Sequence, residues 1–549
     1  MVLAPGAFRL QMLVEGKPYA TIHRMNHPSI CVASHHDSLA ALVADAEFAD
    51  LAARPPGAFL IELRLDRYAD LTPEALDAVL KRLGPEKLVV TYRSVEEGGA
   101  RQEVSDAERG RYLERAARQG AAFVDLEMHT IQRAPEVWKA LQDARATGVT
   151  RLVVSYHDFE RVPPRSRLRD FREDAEAAGA DVVKLAVTPA TILESAALLE
   201  LLCEDRPGKP PLLALGMGEA GFWTRVLGPR FPQPALFTFA RGAGAPGTAP
   251  GQPTWRELHE LYRFGALTPA TRVYGVIGNP IGHSLSPRMH NAALQAAGLD
   301  AVYLPFRVDG DPLAFLQTFA EPLGLEGVSV TIPHKQAVMP GCAELDPLAI
   351  SIGAVNTLVR RPNGWYGTNT DAPAAADSLE TALGGPGTLR GRKVLLLGAG
   401  GAARALAYAV HERGAEVRIL NRSAEKAQEL AAAVQGACVS KEDLDRTDFH
   451  VDVAINTTPL GMHPHVDASP LTEAQVCRAD LIFDTVYNPF RTLVLQYAER
   501  QGRKTLGGLG MFVGQGALQF TLYTGRPAPL DVMEAAVREA LAARRQESR

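Results

Sequence analysis

Eight short β-rich runs recur through the first half of the chain at nearly equal steps. They begin at "ICVAS" (30), "FLIELRLD" (59), "LVVTYR" (88), "FVDLEM" (123), "LVVSYH" (152), "VVKLAV" (182), "PLLALGMG" (211) and "ALFTFAR" (235). The steps between starts are 29, 29, 35, 29, 30, 29 and 24 residues. Between the runs lie segments with helical patterning, such as "SDAERGRYLERAARQG" and "SRLRDFREDAEAAGA". Strands alternating with helices at this step build parallel βαβ units, and eight near-equal units favour a closed (β/α)8 barrel over an open sheet. At 549 residues the chain exceeds what one core organises, so further domains must follow.

In such a barrel the site lies at the C-terminal ends of the strands. Period-two alternation in "FLIELRLD" puts Phe59, Ile61, Leu63 and Leu65 on one face and Leu60, Glu62, Arg64 and Asp66 on the other. The apolar set should meet the helices. The charged set then points into the barrel, where a charge needs a partner or work to do. Lys184, inside "DVVKLAVTP", shares its face with Val182 and Ala186, while Arg93 and His157 end their strands. Glu62, Arg64, Arg93, His157 and Lys184 are therefore expected at one mouth. Each alone has a structural explanation; Lys184 could snorkel outward or meet a buried carboxylate. Together they describe a chemistry. A desolvated amine forms an imine with a ketone, a histidine moves protons near neutral pH, and arginines hold a carboxylate.

The stretches "ELRLD", "YRSVEEGG", "SYHDF", "VVKLAV" and "TAPGQ" closely resemble the type I 3-dehydroquinate dehydratases, over about residues 28–256. The resemblance implies that Lys184 forms the Schiff base and that His157 is the general acid/base, assisted by Glu97. It implies substrate contacts from Glu62, Arg64, Arg93, Arg225, Thr248 and Gln252. Thr248 stands where the family often has Ser, which keeps the hydroxyl. The preceding "ARGAGAPG" is longer than usual and puts the local loop geometry in question.

A different pattern follows residue 271. "RVYGVIGNPIGHSLSPRMHNAAL" reads as strand, Gly/Pro-rich loop and helix, and "GVSVTIPHKQAV", "GAVNTLV" and "GTNTDA" come after it. Ser284, Ser286, Thr331, Lys335, Asn356 and Asp371 sit at the ends of these runs and can hydrogen-bond a polyol, though Ser and Asn also serve ordinary turns. "RKVLLLGAGGAARALAYAV" is an apolar strand, a glycine turn and an amphipathic helix, with Gly398, Gly400 and Ala403 at the spaced positions of G-x-G-x-x-G/A. Such a turn, here Gly398, Ala399, Gly400, Gly401 and Ala402, lets the backbone approach a pyrophosphate at a helix N-terminus. The next strand ends in Asn421, Arg422 and Ser423, with Asn421 23 residues beyond Gly398. An acid there would bond the ribose 2′-OH of NAD. Arg422 instead offers a positive fork for a 2′-phosphate, which favours NADP.

These motifs, with "NTTPLGM", "YNPFRT" and "GLGMFVGQGALQF", closely resemble shikimate dehydrogenase from about 272 to 541. The resemblance implies Lys335 and Asp371 as the catalytic pair. Ser284, Ser286, Thr331, Asn356, Tyr487 and Gln515 would hold the substrate, and Thr457 and Met511 would line the nicotinamide site. A lysine beside a carboxylate can protonate the alkoxide that hydride transfer leaves; a plain ion pair is the alternative.

The expected architecture is α/β: a TIM barrel, then a two-lobed module with a Rossmann NADP-binding lobe. Its expected boundaries are an extension at 1–27, the barrel at 28–256 and a linker at 257–271. A substrate lobe follows at 272–375, completed by 509–541, with the nucleotide lobe at 376–508. A net charge of −5 with no long basic block argues against nucleic-acid or membrane-surface binding. No apolar run is long enough to span a bilayer, and five unclustered cysteines suit a reducing cytoplasm. The pairs His35/His36 and His463/His465 lack carboxylate or thiol spacing, so no metal is expected. The reading is a bifunctional enzyme acting on small molecules (3-dehydroquinate, 3-dehydroshikimate and shikimate). The alternatives are a quinate-type ligand sensor and a second half that acts on quinate.

Overall fold

The computed structural model describes residues 27–55, 57–101, 104–145, 149–462 and 465–547, with side chains to 544. All but His27 of the expected N-terminal extension lies outside the described residues.

The first sheet contains β1 (Ser29–Ala33), β2 (Phe59–Arg64), β3 (Leu88–Thr91), β4 (Phe123–Glu127), β5 (Arg151–Asp158), β6 (Val182–Val187), β7 (Leu212–Gly216) and β8 (Phe237–Arg241). All its ladders are parallel, in the order β7-β6-β5-β4-β3-β2-β1-β8. The pairing of β8 with β1 curls the sheet into a barrel with a seam between β7 and β8. Its two faces sort as the alternation requires. Cys31, Leu60, Val89, Phe123, Val153, Val182, Leu213 and Phe237 fill the interior as one cluster. Ile61, Leu63, Val90, Val154 and Val183 face the surrounding helices in another. Interior apolar layers close the barrel below the charged mouth, so it is a packed core and not a pore.

The second sheet contains β9 (Arg272–Gly278), β10 (Ala301–Arg307), β11 (Leu325–Val330), β12 (Cys342–Leu345), β13 (Thr357–Arg361) and β14 (Gly364–Thr368), in the order β10-β9-β11-β13-β14-β12. The C-terminal helices Leu509–Thr524 and Leu530–Glu547 return to cover it. Val513, Phe520, Met533 and Val537 join Tyr274, Val276 and Met289 in one core. The third sheet contains β15 (Lys393–Leu397), β16 (Glu416–Leu420), β17 (Ala437–Cys438), β18 (Val451–Asn456), β19 (Ala479–Asp484) and β20 (Lys504–Gly507). Its order, β17-β16-β15-β18-β19-β20, is all parallel and reads 3-2-1-4-5-6 within the lobe. That is the doubly wound nucleotide-binding order, with its switch point between β15 and β18. Apolar clusters cover both faces.

The stretch 257–271, expected as a linker, is packed structure. Leu258, Tyr262, Phe264 and Leu267 are all buried, and they belong to the core that runs from the barrel into the second sheet. The joint extends through the helix Phe222–Leu227, where Trp223 meets Phe319 edge-on at 5.8 Å. Arg230 donates to the carbonyl of Leu323 at 2.5 Å across the same joint. Burial of so much apolar surface turns a connector into shared core.

Trp223 is 1% exposed, so Trp223→Ala should cost about 3–5 kcal/mol. Calorimetry should then show the barrel unfolding ahead of the rest, where the native chain shows coupled transitions.

Candidate active sites

The barrel residues singled out in the sequence come together. Glu62, Arg64, Arg93, Glu97, His157, Lys184, Arg225, Thr248 and Gln252 line one cavity, with Phe159, Met217 and Phe239. Lys184 projects inward from β6, with its Nζ 2.8 Å from Asp125 Oδ2 and 4.2 Å from the Phe239 ring centre. Arg93 is 2.9 Å from the other oxygen of Asp125 and 3.3 Å from Glu127, and it donates to Ser155 Oγ at 2.7 Å. Ser155 donates to Asp125 at 2.6 Å. Burial opposes the Asp125 charge, but Arg93 and Lys184 outweigh it and hold the carboxyl well below the usual carboxylate range.

His157 ends β5's inward run. Its Nδ1 lies 2.8 Å from Glu97 Oε2, which also accepts from the His157 backbone N–H at 2.9 Å. Burial, Arg93 and Lys184 push the imidazole down to about 3 against the pull of Glu97. Burial works against ionisation of Glu97, yet its bonds to His129 and His157 bring it down to about 2. An ionised Glu97 only accepts, so His157 carries its proton on Nδ1 and keeps a lone pair on Nε2.

The three cavity arginines differ. Arg64 is bound through two nitrogens to Asp66, and Arg93 is engaged with Asp125 and Glu127. Arg225, 1% exposed, has an unpartnered Nε, and burial pushes it down to about 10. A desolvated guanidinium facing a cavity is a docking point for a carboxylate. Arg241 holds the long loop after β8 by donating to the carbonyls of Ala245 and Gln252, and Gln252 Oε1 accepts from the Thr248 backbone N–H at 2.8 Å.

Sequence reasoning missed Asp125, Glu127 and His129. The alternation that exposed Glu62 was available for the first two, since Phe123, Asp125 and Glu127 share the inward face of β4. For His129 there was no such signal.

In the second module, chain topology gathers the expected residues at one end of its sheet. The Ser284/Ser286 loop follows β9, and the Ser286 backbone N–H donates to Ser284 Oγ at 3.3 Å. Thr331 and Lys335 follow β11. Antiparallel pairing brings the start of β13 alongside, where Val330 N–H donates to the carbonyl of Asn356 at 2.7 Å. Asn356 Oδ1 accepts from the Thr370 N–H at 2.8 Å, next to Asp371 at the start of the helix Asp371–Leu383. Lys335 Nζ lies 2.6 Å from Asp371 Oδ2, and both side chains are partly open to solvent. From the returning helix, Gln515 donates to the Phe512 carbonyl and Tyr487 stacks on the Phe512 ring at 4.5 Å. Gln519, one turn beyond Gln515, was missed; it is 1% exposed and donates to Asn356 and Thr357.

The glycine turn stands at the switch point. Gly398 has φ +119°, and a Cβ there would meet Thr457 Oγ1 at 2.6 Å, while Thr457 itself donates to the Leu397 carbonyl. Around Gly400 and Gly401 the space is open, and no side chain caps the helix Gly401–Glu412. Ala399 and Met511 pack at the edge of the nearby core, and Ala402 is exposed. Asn421 donates to the Ser423 carbonyl, Ser423 caps the next helix, and Arg422 projects exposed from the turn. Open N–H groups beside a glycine cradle, with no carboxylate at Arg422, fit a phosphorylated dinucleotide.

His35 and His36 were expected to lack a neighbouring carboxylate. The fold supplies Asp45, and ligating atoms of the three lie within 4.8 Å of one another. Asp45 already caps the helix Ala46–Ala53 with one oxygen and holds His36 at 2.9 Å with the other, which accounts for the group without an ion. His463 lies outside the described residues.

The fold and sites thus define an α/β chain that joins a lysine-centred barrel to a two-lobed nucleotide-type module. Family models match in the same order: type I 3-dehydroquinase at 30–268, shikimate dehydrogenase substrate binding domain at 276–358, shikimate / quinate 5-dehydrogenase at 380–485, and shikimate 5'-dehydrogenase C-terminal domain at 508–538. The chloroplastic bifunctional 3-dehydroquinate dehydratase/shikimate dehydrogenase of Arabidopsis thaliana is 38% identical over 492 residues, 87% of this chain and 79% of its own. A shikimate dehydrogenase (NADP(+)) of Bacillus cereus is 42% identical over 275 residues, 49% of this chain and 99% of its own. The structure of dehydroquinate dehydratase and shikimate dehydrogenase from S. pombe AroM aligns over 93% of this chain and 98% of its own, at 24% identity and a TM-score of 0.43. This chain belongs to the family of bifunctional 3-dehydroquinate dehydratase/shikimate dehydrogenases.

The site fixes a pH dependence of stability. His157 falls from 6.5 to about 3 on folding and Glu97 from 4.5 to about 2. A depressed group gives its full stabilisation above its unfolded value and loses it as pH falls through the folded one. Stability should therefore drop as pH falls from about 6.5 towards 3. In His157→Gln the urea midpoint should fall less between pH 7 and pH 4 than in the native chain.

Proposed function

We propose that the barrel dehydrates 3-dehydroquinate to 3-dehydroshikimate through an imine on Lys184, and that the second module reduces this product to shikimate with NADPH. The observation that carries the dehydratase half is the unpaired, buried Arg225 facing the cavity of Lys184 and His157. Arg225 takes the substrate carboxylate, with Thr248, Gln252, Glu62, Arg64 and Arg93 shaping the remaining contacts. Lys184 passes its ammonium proton to the ketone oxygen as its amine adds to the ring carbonyl carbon, and the oxygen leaves as water, giving an iminium that acidifies the adjacent carbon. His157 Nε2 takes a proton from that carbon while Glu97 holds the ring. The same imidazolium returns the proton to the departing hydroxyl, which leaves as water. Hydrolysis of the imine frees the enone and restores Lys184.

In the second module the glycine turn Gly398–Ala402, with Asn421, Arg422, Ser423, Thr457 and Met511, would hold the nucleotide. Bound NADPH supplies the hydride. Lys335 gives a proton to the oxygen that gains charge, and Asp371 keeps the ammonium in place at 2.6 Å. Ser284, Ser286, Thr331, Asn356, Tyr487 and Gln515 offer the hydroxyl and amide contacts a polyol needs. A ligand sensor has no use for the Lys335–Asp371 pair, and Arg422 favours NADP over NAD. The partners are small molecules. Among the described residues no helix is long and apolar enough to cross a membrane. The five cysteines are unpaired, which fits a reducing compartment such as the cytoplasm.

The test gives the purified protein only 3-dehydroquinate and NADPH. Loss of NADPH absorbance that depends on 3-dehydroquinate is expected; no enone and no NADPH loss would refute the reading. Lys184→Ala should abolish dehydration and borohydride trapping yet leave shikimate oxidation intact. Arg422→Ala should raise KM for NADP about tenfold and leave KM for NAD nearly unchanged in shikimate oxidation.

A further inference from the structure

Glu97 does not serve His157 alone. It rises from the turn Val95–Glu97 after β3 and stands between two histidines. Its Oε2 faces His157 Nδ1 at 2.8 Å, and its Oε1 faces His129 Nδ1 at 2.9 Å. His129 is the second residue of the helix Met128–Arg133, which starts directly after β4. The His157 side chain is 8% exposed and that of His129 is 30% exposed. One histidine is sealed in the cavity wall and the other reaches water, with a single carboxylate between them.

We propose that His129 is a positioning residue of the dehydratase reaction, acting through Glu97 to set how readily His157 takes the proton from the substrate carbon. The inference rests on the dehydratase reading above. Because a carboxylate only accepts, both imidazoles donate from Nδ1, and His129 gains or loses its second proton on the outward Nε2. Protonated His129 draws the charge of Glu97 towards Oε1 and weakens the support for an imidazolium at His157. Neutral His129 still donates the bond and leaves that charge to His157.

The surrounding charges come from every element packed here. Glu96 lies 3.9 Å from His129 Nε2, and Arg133 on the same helix binds Glu96 and Asp106. Glu127 from β4 is held by Arg109, which also bonds Thr130. Arg93, Asp125 and Lys184 lie on the His157 side. Arg93, Arg109, Arg133 and the carboxylates paired with them surround the two histidines. The bond to Glu97 raises His129 above the ordinary histidine value of 6.5.

His129→Gln keeps a neutral donor and removes the titration. The ratio of dehydratase kcat at pH 6 to that at pH 8.5 should rise at least about threefold over the native ratio, the equivalent of half a pH unit. Shikimate oxidation should be unchanged at both values and reports that the chain is folded. A dehydratase kcat lowered equally at both pH values would mean a merely structural role and overturn the proposal. In the native chain, the His157 imidazole signals, assigned by their loss in His157→Gln, should inflect at the pH where His129 titrates; a flat response would also overturn it. If the native chain dehydrated nothing at any pH, the dehydratase reading would fail first and this inference with it.

Discussion

The contact of Asp125 with both Lys184 and Arg93 makes the barrel mouth possible. Two cations buried this close would repel, and neither could be desolvated alone. Asp125, 1% exposed, faces each with one oxygen, and Ser155 braces it. Once that charge is in place, Arg225 still has no acid of its own. Burial, Arg93 and Lys184 keep His157 neutral, and the unpaired guanidinium offers a place for an anion. Glu97 opposes the first effect, since its carboxylate favours a positive charge on the His157 ring.

The second module solves a different problem with exposed groups. Lys335 and Asp371 are partly open to solvent, and no side chain caps the helix that follows the glycine turn. A cleft between lobes must admit a large cofactor, so little of its charge can be prepaid inside a closed wall. Precision comes instead from bonds made by backbone N–H groups to Asn356. The links Val330 to Asn356 and Thr370 to Asn356 fix the loop ends relative to one another before any ligand arrives.

Much of this was legible in the sequence because period-two alternation reports directly on a barrel. Glu62 and Arg64 stood out on the charged face of their strand, Lys184 on an otherwise apolar face and His157 at a strand end, and the glycine turn sits in its strand–turn–helix context. Asp125 was equally legible and went unread. The packed stretch 257–271 was not legible, since its Leu258 and Phe264 find their core only once the two modules meet. His129 shows the harder limit. Its partner Glu97 lies 32 residues away, and nothing local distinguishes a histidine at a helix start from one that faces solvent. Pair chemistry across strands emerges only when the barrel curls and sets neighbouring loop ends side by side.

The same curling makes one wall serve both modules. Between β7 and the helix Phe222–Leu227, Met217 lines the dehydratase cavity while Glu219 approaches Gly282 and lies 3.8 Å from Arg307 in the second module. Within that helix Arg225 turns inward to the cavity, and Trp223, two residues earlier, turns outward onto Phe319. Arg225 carries a buried charge with no acid to hold it, so its placement depends on how firmly the helix backbone is held. That hold comes in part from Phe319, a residue of the dehydrogenase-like module. The joint is therefore more than a tether that keeps two modules on one chain; the second module is part of the scaffold that holds Arg225 against the barrel cavity.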